Sequence, residues 1–566
     1  MDAVTSSRSR EAVETTHFDV IIVGAGISGI GSAYHLQDQC PQLSYVVLEM
    51  KDTFGGTWET HKYPGVRSDS DLYTFGYRFK PWIDAPIATS DKILRYMGEV
   101  IEDHGIAPHI RYGHRIVRAA WSSADDLWTV DAVRTADGAT VRFTANFVWM
   151  CQGYYDHENP HLPEWPGMAD YQGKLVHAMQ WDPATEVAGK RVVVIGSGAT
   201  AATVVPALAK DCAHVTQLQR RPIWYIPNPN ENEFATALRE GGIEEETIHR
   251  VVRTKINHEF EALTQRCLAE PEAVKAELLA AAEDILGPAF AETAPHITPD
   301  YRPWQQRAAF IPEGDLFLAI RAGKASIVTD EIERFTATGI QTRSGGHLEA
   351  DIVVAATGFN LLVLGGIPFT VDGDPVDWAE TINYRGMLFT GVPNLAWVMG
   401  YFRASWTLRV DMMGDFVCRL LNHMDAIGAT RVDVKLRPED ADMAILPWIE
   451  DDNFNPNYLR AKSTRCRAAA TSPNGATAST TGKSARNSRR SISRVPSLST
   501  AATSTARARR RGVEKKSSPS AGWVPSGPTA QDEVIEISQS PLETRSTRLT
   551  PRRRRWSMQR SAAAEG

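Results

Sequence analysis

Residues 18–29 read FDVIIVGAGISG, and this stretch decides the fold. Phe18–Val23 is a short, continuous apolar run, the composition of a central parallel strand buried on both faces. Gly24-Ala-Gly26-Ile-Ser28-Gly29 follows where such a strand turns into a helix. At that turn the first glycine makes the tight bend, the second lets a pyrophosphate approach the backbone, and the third lets helix pack against strand. The helix N-terminus supplies free N–H groups and a positive dipole end. An amphipathic stretch to about Gln39 and a second apolar run, Tyr45–Leu48, complete a β-α-β unit. Glu49 closes that second strand, at the place from which a carboxylate hydrogen-bonds ribose hydroxyls.

The arrangement recurs. Arg191–Ile195 (RVVVI) runs into Gly196-Ser197-Gly198-Ala199-Thr200-Ala201, a helical segment to about Ala209, and the strand Val215–Leu218. Here the second strand ends in Gln219-Arg220-Arg221-Pro222 instead of an acidic residue. A carboxylate would select a free 2′-hydroxyl, whereas guanidinium forks match a 2′-phosphate, so NADPH is expected over NADH. Two such units predict an α/β protein with two Rossmann-like dinucleotide-binding domains.

The expected layout is a polar leader at 1–17, the first part of one nucleotide domain at 18–185, and a second at 186–349. An acidic Ala-, Glu- and Leu-rich stretch at about 230–290 reads as a helical insertion in the second. Residues 350–460 then return to the first domain, with Asp351–Ala355 (DIVVA) as the returning strand.

Composition narrows the function. The 566 residues are 43% hydrophobic and 23% charged, as in ordinary soluble proteins. The net charge is −22 over residues 1–460 and +15 over 461–566, so the first part offers nucleic acid no general attraction. Six cysteines are scattered without a C-x-x-C pair or a metal-ligand spacing, which predicts no metal site and suits a reducing cytoplasm. The apolar stretch 352–371 is broken by three glycines, a proline and Asn360, so no membrane span is expected. A chain with two nucleotide folds could be a disulfide reductase, a flavin dehydrogenase or a monooxygenase. The first needs a redox dithiol beside the flavin and falls away.

The segment Gly55-Gly56-Thr57-Trp58-Glu59-Thr60-His-Lys-Tyr63-Pro64-Gly65-Val-Arg67-Ser68-Asp69 resembles the G-G-x-W-x4-Y-P-G-x3-D motif of class B flavoprotein Baeyer–Villiger monooxygenases. Tyr171-Gln-Gly173-Lys-Leu-Val-His177-Ala-Met-Gln-Trp181-Asp182 resembles the fingerprint F-x-G-x3-H-x3-W-[P/D] of the same family, with tyrosine for phenylalanine. Ala356-Thr357-Gly358-Phe359 is similar to its late A-T-G motif. The resemblance runs from about Phe18 to Leu459. It is closest to the ethionamide-activating branch, on SDSDLYTFGYRFKPW, GDLFLAIR and the ASWTL at Ala404–Leu408.

The resemblance implies FAD in the first domain, NADPH in the second, and O2 insertion beside a ketone carbonyl through a flavin peroxide, giving an ester or lactone. Sulfides or thioamides are implied as further small-molecule substrates. An N- or S-oxygenating relative, or an uncoupled NADPH oxidase, are the alternative readings. It also implies that Arg307 stabilises the reacting oxyanion and that Asp69 lies close to it, orienting the guanidinium. Thr57, Trp58, Glu59 and Thr60 would wrap the flavin with Arg67 and Ser68 nearby, Ser28 would meet its phosphates, and the backbone at Ile116 would meet its adenine. His177 is expected to link domains instead of moving protons.

Beyond Leu459 the chain turns to Ala, Ser, Thr and Arg with no hydrophobic period, which predicts a disordered basic tail at 461–566. Reading Arg460–Gly482 in the shifted frame, with G/C-rich codons, gives sequence closer to a family C-terminus. A frameshift near Leu459 is therefore expected.

Overall fold

The computed structural model describes residues 15–401 and 403–435, together with the strand segments 445–447, 467–470 and 498–501. All of these fall within the compact unit Met1–Ser504. The expectation for the tail lies almost wholly outside the described residues. Only Arg467–Ala470 and Leu498–Ala501 are described there, paired antiparallel with Ile445–Pro447 and Arg431–Val434.

The run Phe18–Val23 is the centre of the first lobe because its apolar side chains are covered on both faces. Val20, Ile21 and Ile22 are fully buried. The strand is longer than its apolar core: it spans Thr15–Val23, three residues into the expected polar leader, because Thr15–His17 continue the ladder against Arg142–Thr144. It lies parallel between Tyr45–Leu48 and Thr140–Met150 in a nine-stranded sheet. Antiparallel strands at His114–Ser122 and Leu127–Arg134 extend that sheet. The helix Ile27–Gln39 covers one face and packs against the long helix Trp406–Ile427.

Arg191–Ile195 nucleates the second lobe in the same way. Its five-stranded sheet is all parallel, in the order Ala325–Thr329, His214–Gln219, Arg191–Ile195, Ile352–Ala355, Lys174–His177. This corrects the expected role of DIVVA. Ile352–Ala355 does not return to the first sheet but completes the second, held in register on one edge by Val192–Ile195 and on the other by Lys174–His177. Its four apolar side chains, all buried, need a neighbour on each side. The chain rejoins the first sheet later, through Phe369–Val371 beside Ala119–Trp121 and Leu395–Trp397 beside Val148–Met150. Tyr155–Pro160 and Phe359–Leu361, paired antiparallel, are the two connections between the lobes.

The acidic stretch forms helices at Glu233–Glu240, Glu245–Ala269, Pro271–Leu286 and Phe290–Ile297. The helix Glu245–Ala269 is clamped to the first lobe by a buried cation. Arg253 donates to the carbonyls of Tyr73, Thr74 and Gly76 at 2.8–2.9 Å and to Asp411 at 3.2 Å.

Candidate functional site

Between the lobes lies a cavity of about 1310 Å³, larger than the ~300–1,000 Å³ of single small-molecule pockets. Both glycine turns open into it.

In the first turn Gly24 has φ +95°, and a Cβ there would meet the Cys151 carbonyl oxygen at 3.1 Å. A Cβ on Gly29 would collide with the Gly24 carbonyl oxygen, so this glycine lets the helix start directly on the strand. Gly26 differs. A Cβ there meets nothing closer than the Gly56 Cα at 3.7 Å, so the space it leaves faces the cavity. Gly26 caps the helix Ile27–Gln39 without a side-chain hydrogen bond, leaving its first N–H groups to whatever enters.

Glu49 is 7% exposed and accepts from the Ala25 N–H at 2.7 Å and the Lys51 N–H at 2.9 Å. It thus ties the turn to the end of its strand, and its carboxylate keeps lone pairs for further donors. Ser28 accepts from the Trp406 indole N–H at 2.8 Å, a contact across 378 residues that seats the late segment on the first turn.

The Gly55-Gly56 pair (φ +122° and +56°) lays the next loop against that turn, with the Gly55 N–H donating to the Ala25 carbonyl at 3.0 Å. Thr57, Trp58 and Thr60 line the cavity, as do Ile116 and its neighbours His114 and Arg115. Glu59 does not: it turns out to Lys62 at 2.9 Å. The Gln152 side chain lines the cavity with both amide atoms shielded from solvent and no hydrogen-bond partner among the described residues. An amide left so is a site for a ligand's own polar atoms.

In the second turn a Cβ on Gly196 (φ +134°) would collide with the Ala356 carbonyl oxygen, whereas Gly198 has nothing within 4 Å. Ser197, Gly198, Ala199 and Thr200 line the cavity, and Ala201 is buried beneath them. Arg220 and Arg221, at the end of the strand, are exposed at the cavity wall and make no hydrogen bond or ion pair among the described residues. The acids nearby are already engaged, Glu331 with Arg343 and Asp330 with Ser344.

Where the lobes meet, Arg307 donates from Nε to Asp69 Oδ2 at 2.7 Å and from Nη2 to Ser70 Oγ at 3.4 Å. The two ion-paired side chains are 30% and 29% exposed, both line the cavity, and 238 residues separate them. Ser68 is buried behind them and fixes the bend, its hydroxyl donating to the Ser70 carbonyl at 2.6 Å. Arg67, expected at the cofactor, does not line the cavity. Its guanidinium is held by Asp315 at 2.5 and 3.3 Å.

The fingerprint residues do not line the cavity, and their aromatic members, Tyr171 and Trp181, divide between two packed clusters. Tyr171 donates to the Ala350 carbonyl at 2.9 Å, and a Cβ on Gly173 would strike the Tyr171 ring. Trp181 is 7% exposed in the second core, and Asp182 accepts from the Ala184 N–H at 2.9 Å. His177 accepts from the Met179 N–H at 3.2 Å, and burial pushes its imidazole down to about 4. It pairs in register with Ala355, at the end of the strand that leads to the lobe connection.

Sequence reasoning did not single out Lys51, Gln152, Tyr154, His157 or Tyr401, all of which line the cavity. A signal existed for some: C-Q-G-Y-Y at 151–155 follows a buried strand at the same height as the first glycine turn. Tyr154 stacks on Trp406 at 5.2 Å and 15°. Among the described residues there is no cluster of His, Cys, Asp and Glu able to hold a metal, and no helix long and apolar enough to cross a membrane.

A family profile described as "FMO-like: Flavin-binding monooxygenase-like" matches residues 18–239. The FAD-containing monooxygenase EthA of Mycolicibacterium smegmatis is 44% identical over 448 residues, covering 79% of this chain and 89% of that protein. EthA of Mycobacterium tuberculosis is 43% identical over 447 residues, covering 79% and 90%. A steroid monooxygenase bound to NADP superposes with a TM-score of 0.62 at 23% identity, covering 75% of this chain and 88% of that one. Cyclohexanone monooxygenase from Rhodococcus sp. Phi1, bound to NADP+, gives 0.60 at 22% identity, covering 75% and 87%.

Proposed function

The chain belongs to the flavin-binding monooxygenase-like family, and from that premise we propose that it is an FAD- and NADPH-dependent monooxygenase of Baeyer–Villiger type. It takes small ketones to esters or lactones with O2, and sulfides or thioamides are a second substrate class. The observation that carries the reading is the Arg307–Asp69 pair, at the junction of two glycine-turn nucleotide sites in one cavity.

The residues present fit both cofactors. The open space at Gly26, the uncapped N–H groups of Ile27–Gln39, the buried Glu49 and the unpartnered Gln152 amide are a cradle for FAD. The open space at Gly198 and the unpaired Arg220 and Arg221 suit a nucleotide with a 2′-phosphate. When bound, FAD reduced by NADPH supplies the electrons that activate O2.

The chain's own groups do the rest. Arg307 offers N–H donors to the negative charge that develops on the substrate's carbonyl oxygen. Asp69 fixes the Nε edge of that guanidinium and Ser70 meets its Nη2, so the group is held at the cavity wall without a large movement. His177, kept neutral by burial and outside the cavity, positions the lobe connection and transfers no proton. A place in the cytoplasm accords with the buried free cysteines among the described residues, Cys40, Cys151, Cys212, Cys267 and Cys418.

The deciding experiment is anaerobic reduction of the purified flavoprotein with NADPH, then addition of O2 and a ketone with analysis of the product. Ester in proportion to NADPH consumed supports the reading. Bleaching of the flavin followed only by peroxide overturns it.

A further inference from the structure

The residues between the two sequence motifs form a strap with two kinds of attachment. Its main chain belongs to the first lobe: the Ser68 N–H donates to the Ala88 carbonyl at 2.8 Å and the Ser90 N–H to the Val66 carbonyl at 3.1 Å. Its side chains belong to the second. Tyr63 is buried in the second core with Ala201, Ala202 and Val205. Gly65, at φ +74°, lies so close to the helix Ala199–Leu208 that a Cβ would stand 2.7 Å from the Ala207 Cβ. Arg67 grips Asp315, on the first turn of the helix Asp315–Arg321, and reaches the Ala202 carbonyl at 3.5 Å. Asp69 then meets Arg307. Every second residue from Tyr63 to Asp69 therefore touches the second lobe, and the first three of them rest on the helix whose N-terminus opens into the cavity.

We propose that Tyr63–Asp69 couples the seating of the nicotinamide nucleotide on the helix Ala199–Leu208 to the placement of Arg307, with Arg67 and Asp315 as positioning residues. This rests on the function proposed above.

A pyrophosphate drawn to the N–H groups at Ala199 and Thr200 fixes the first turn of that helix. The helix moves as a rigid body, so its side at Ala202, Thr203 and Ala207 is fixed with it. Arg67 and Gly65 carry that position along the chain to Asp69, and Asp69 sets the angle of the guanidinium. The ion pair is suited to this role because it is shielded without being core: Arg67 is 14% exposed and Asp315 29%. A displacement of about 1 Å at a reacting group costs up to about 100-fold in rate, so a small loosening here is enough to separate reduction from productive oxygenation.

The test uses the FAD-loaded full chain and four proteins: unmutated, Arg67→Ala, Arg67→Lys and the near-isosteric Asp315→Asn. Amide hydrogen exchange is measured with and without NADP+, over peptides covering residues 64–70 and 198–203. In the unmutated protein NADP+ slows exchange in both. In Arg67→Ala and Asp315→Asn it slows 198–203 only, and Arg67→Lys restores part of the protection at 64–70. With 2-octanone as probe, ester formed per NADPH falls between about 10- and 100-fold in Arg67→Ala while flavin reduction persists.

Protection of 64–70 that survives in Arg67→Ala and Asp315→Asn overturns the coupling, as does unchanged ester yield. So does a loss of ester that merely tracks loss of bound FAD, which marks a structural role. If NADP+ protects neither segment of the unmutated protein, the nucleotide assignment itself fails and the strap with it. If none of the four proteins forms ester, NADP+ protection of both segments in the unmutated protein that is lost at 64–70 in Arg67→Ala and Asp315→Asn upholds the coupling and removes the ketone reading alone.

Discussion

Replacing Arg220 by alanine removes one of two guanidinium groups that stand free at the end of the strand His214–Gln219. The magnitude follows from what the side chain does not do. It is exposed and makes no hydrogen bond or ion pair among the described residues, so its loss breaks no internal contact and stability stays within about ±0.5 kcal/mol. The whole effect falls on the ligand. A charge-assisted bond to phosphate is worth about 1.5–3 kcal/mol, roughly 10- to 150-fold in NADPH affinity. NADH, with a hydroxyl in place of the phosphate, makes no such bond and should hardly change. Asp330 and Glu331 at the same wall do not offset this, because both are already engaged. The assay is anaerobic stopped-flow reduction of the bound flavin, with the apparent Kd measured for NADPH and for NADH at low and high ionic strength. Salt should weaken NADPH binding in the unmutated protein more than in Arg220→Ala. Equal use of both nucleotides by the unmutated protein would refute the reasoning, as would a mutation that weakens both alike.

Arg307→Ala should keep its FAD, which the first glycine turn and Glu49 hold, yet form no ester. Asp69→Ala should fall between it and the unmutated protein, because it turns the guanidinium without removing it; product yield against flavin content reads both. Gly26→Ala should fold with near-normal thermal stability, since its φ of −77° and open surroundings accept a methyl group, but should lose FAD occupancy by absorbance. Gly29→Ala, whose Cβ meets the Gly24 carbonyl, should lose stability as well. Burial pushes His61 down to about 3, and His157 and His177 to about 4, against about 6.5 unfolded. Lowered bases bind fewer protons folded than unfolded, so their stability is complete above pH 6.5 and is lost as pH falls toward 3–4. Thermal unfolding across that window should show the decline, and His157→Gln should flatten it.

The glycine turns were legible because their requirements are local. Gly24 and Gly196 take positive φ at the end of their strands, Gly29 meets the carbonyl of Gly24, and Glu49 closes the turn beside them. The partners that finish the site are not local. That Asp69 would meet Arg307 followed only from resemblance, since no periodicity links positions so far apart. Ser28 held by Trp406, and Arg67 taken by Asp315 instead of a cofactor, are outcomes of tertiary packing. DIVVA was misplaced for a related reason. Four buried apolar residues identify a central strand but not which of two parallel sheets it enters, and the choice was made by ladder partners on Lys174–His177 and Arg191–Ile195.

The sheet assignment of Ile352–Ala355 bears on synthesis. A chain leaving the ribosome holds every strand of the second sheet once residue 355 has emerged. The first sheet, begun at Thr15, must wait for Leu395–Trp397, and the helix Ile27–Gln39 must wait longer. Its partner, Trp406–Ile427, supplies the contacts His35–Asp411 at 3.0 Å and Gln39–Asp415 at 3.1 Å. The lobe begun first is therefore finished last, closing around a neighbour that is already complete. The apolar face of Ile27–Gln39 stays open to solvent, or to a chaperone, until Trp406–Ile427 has emerged.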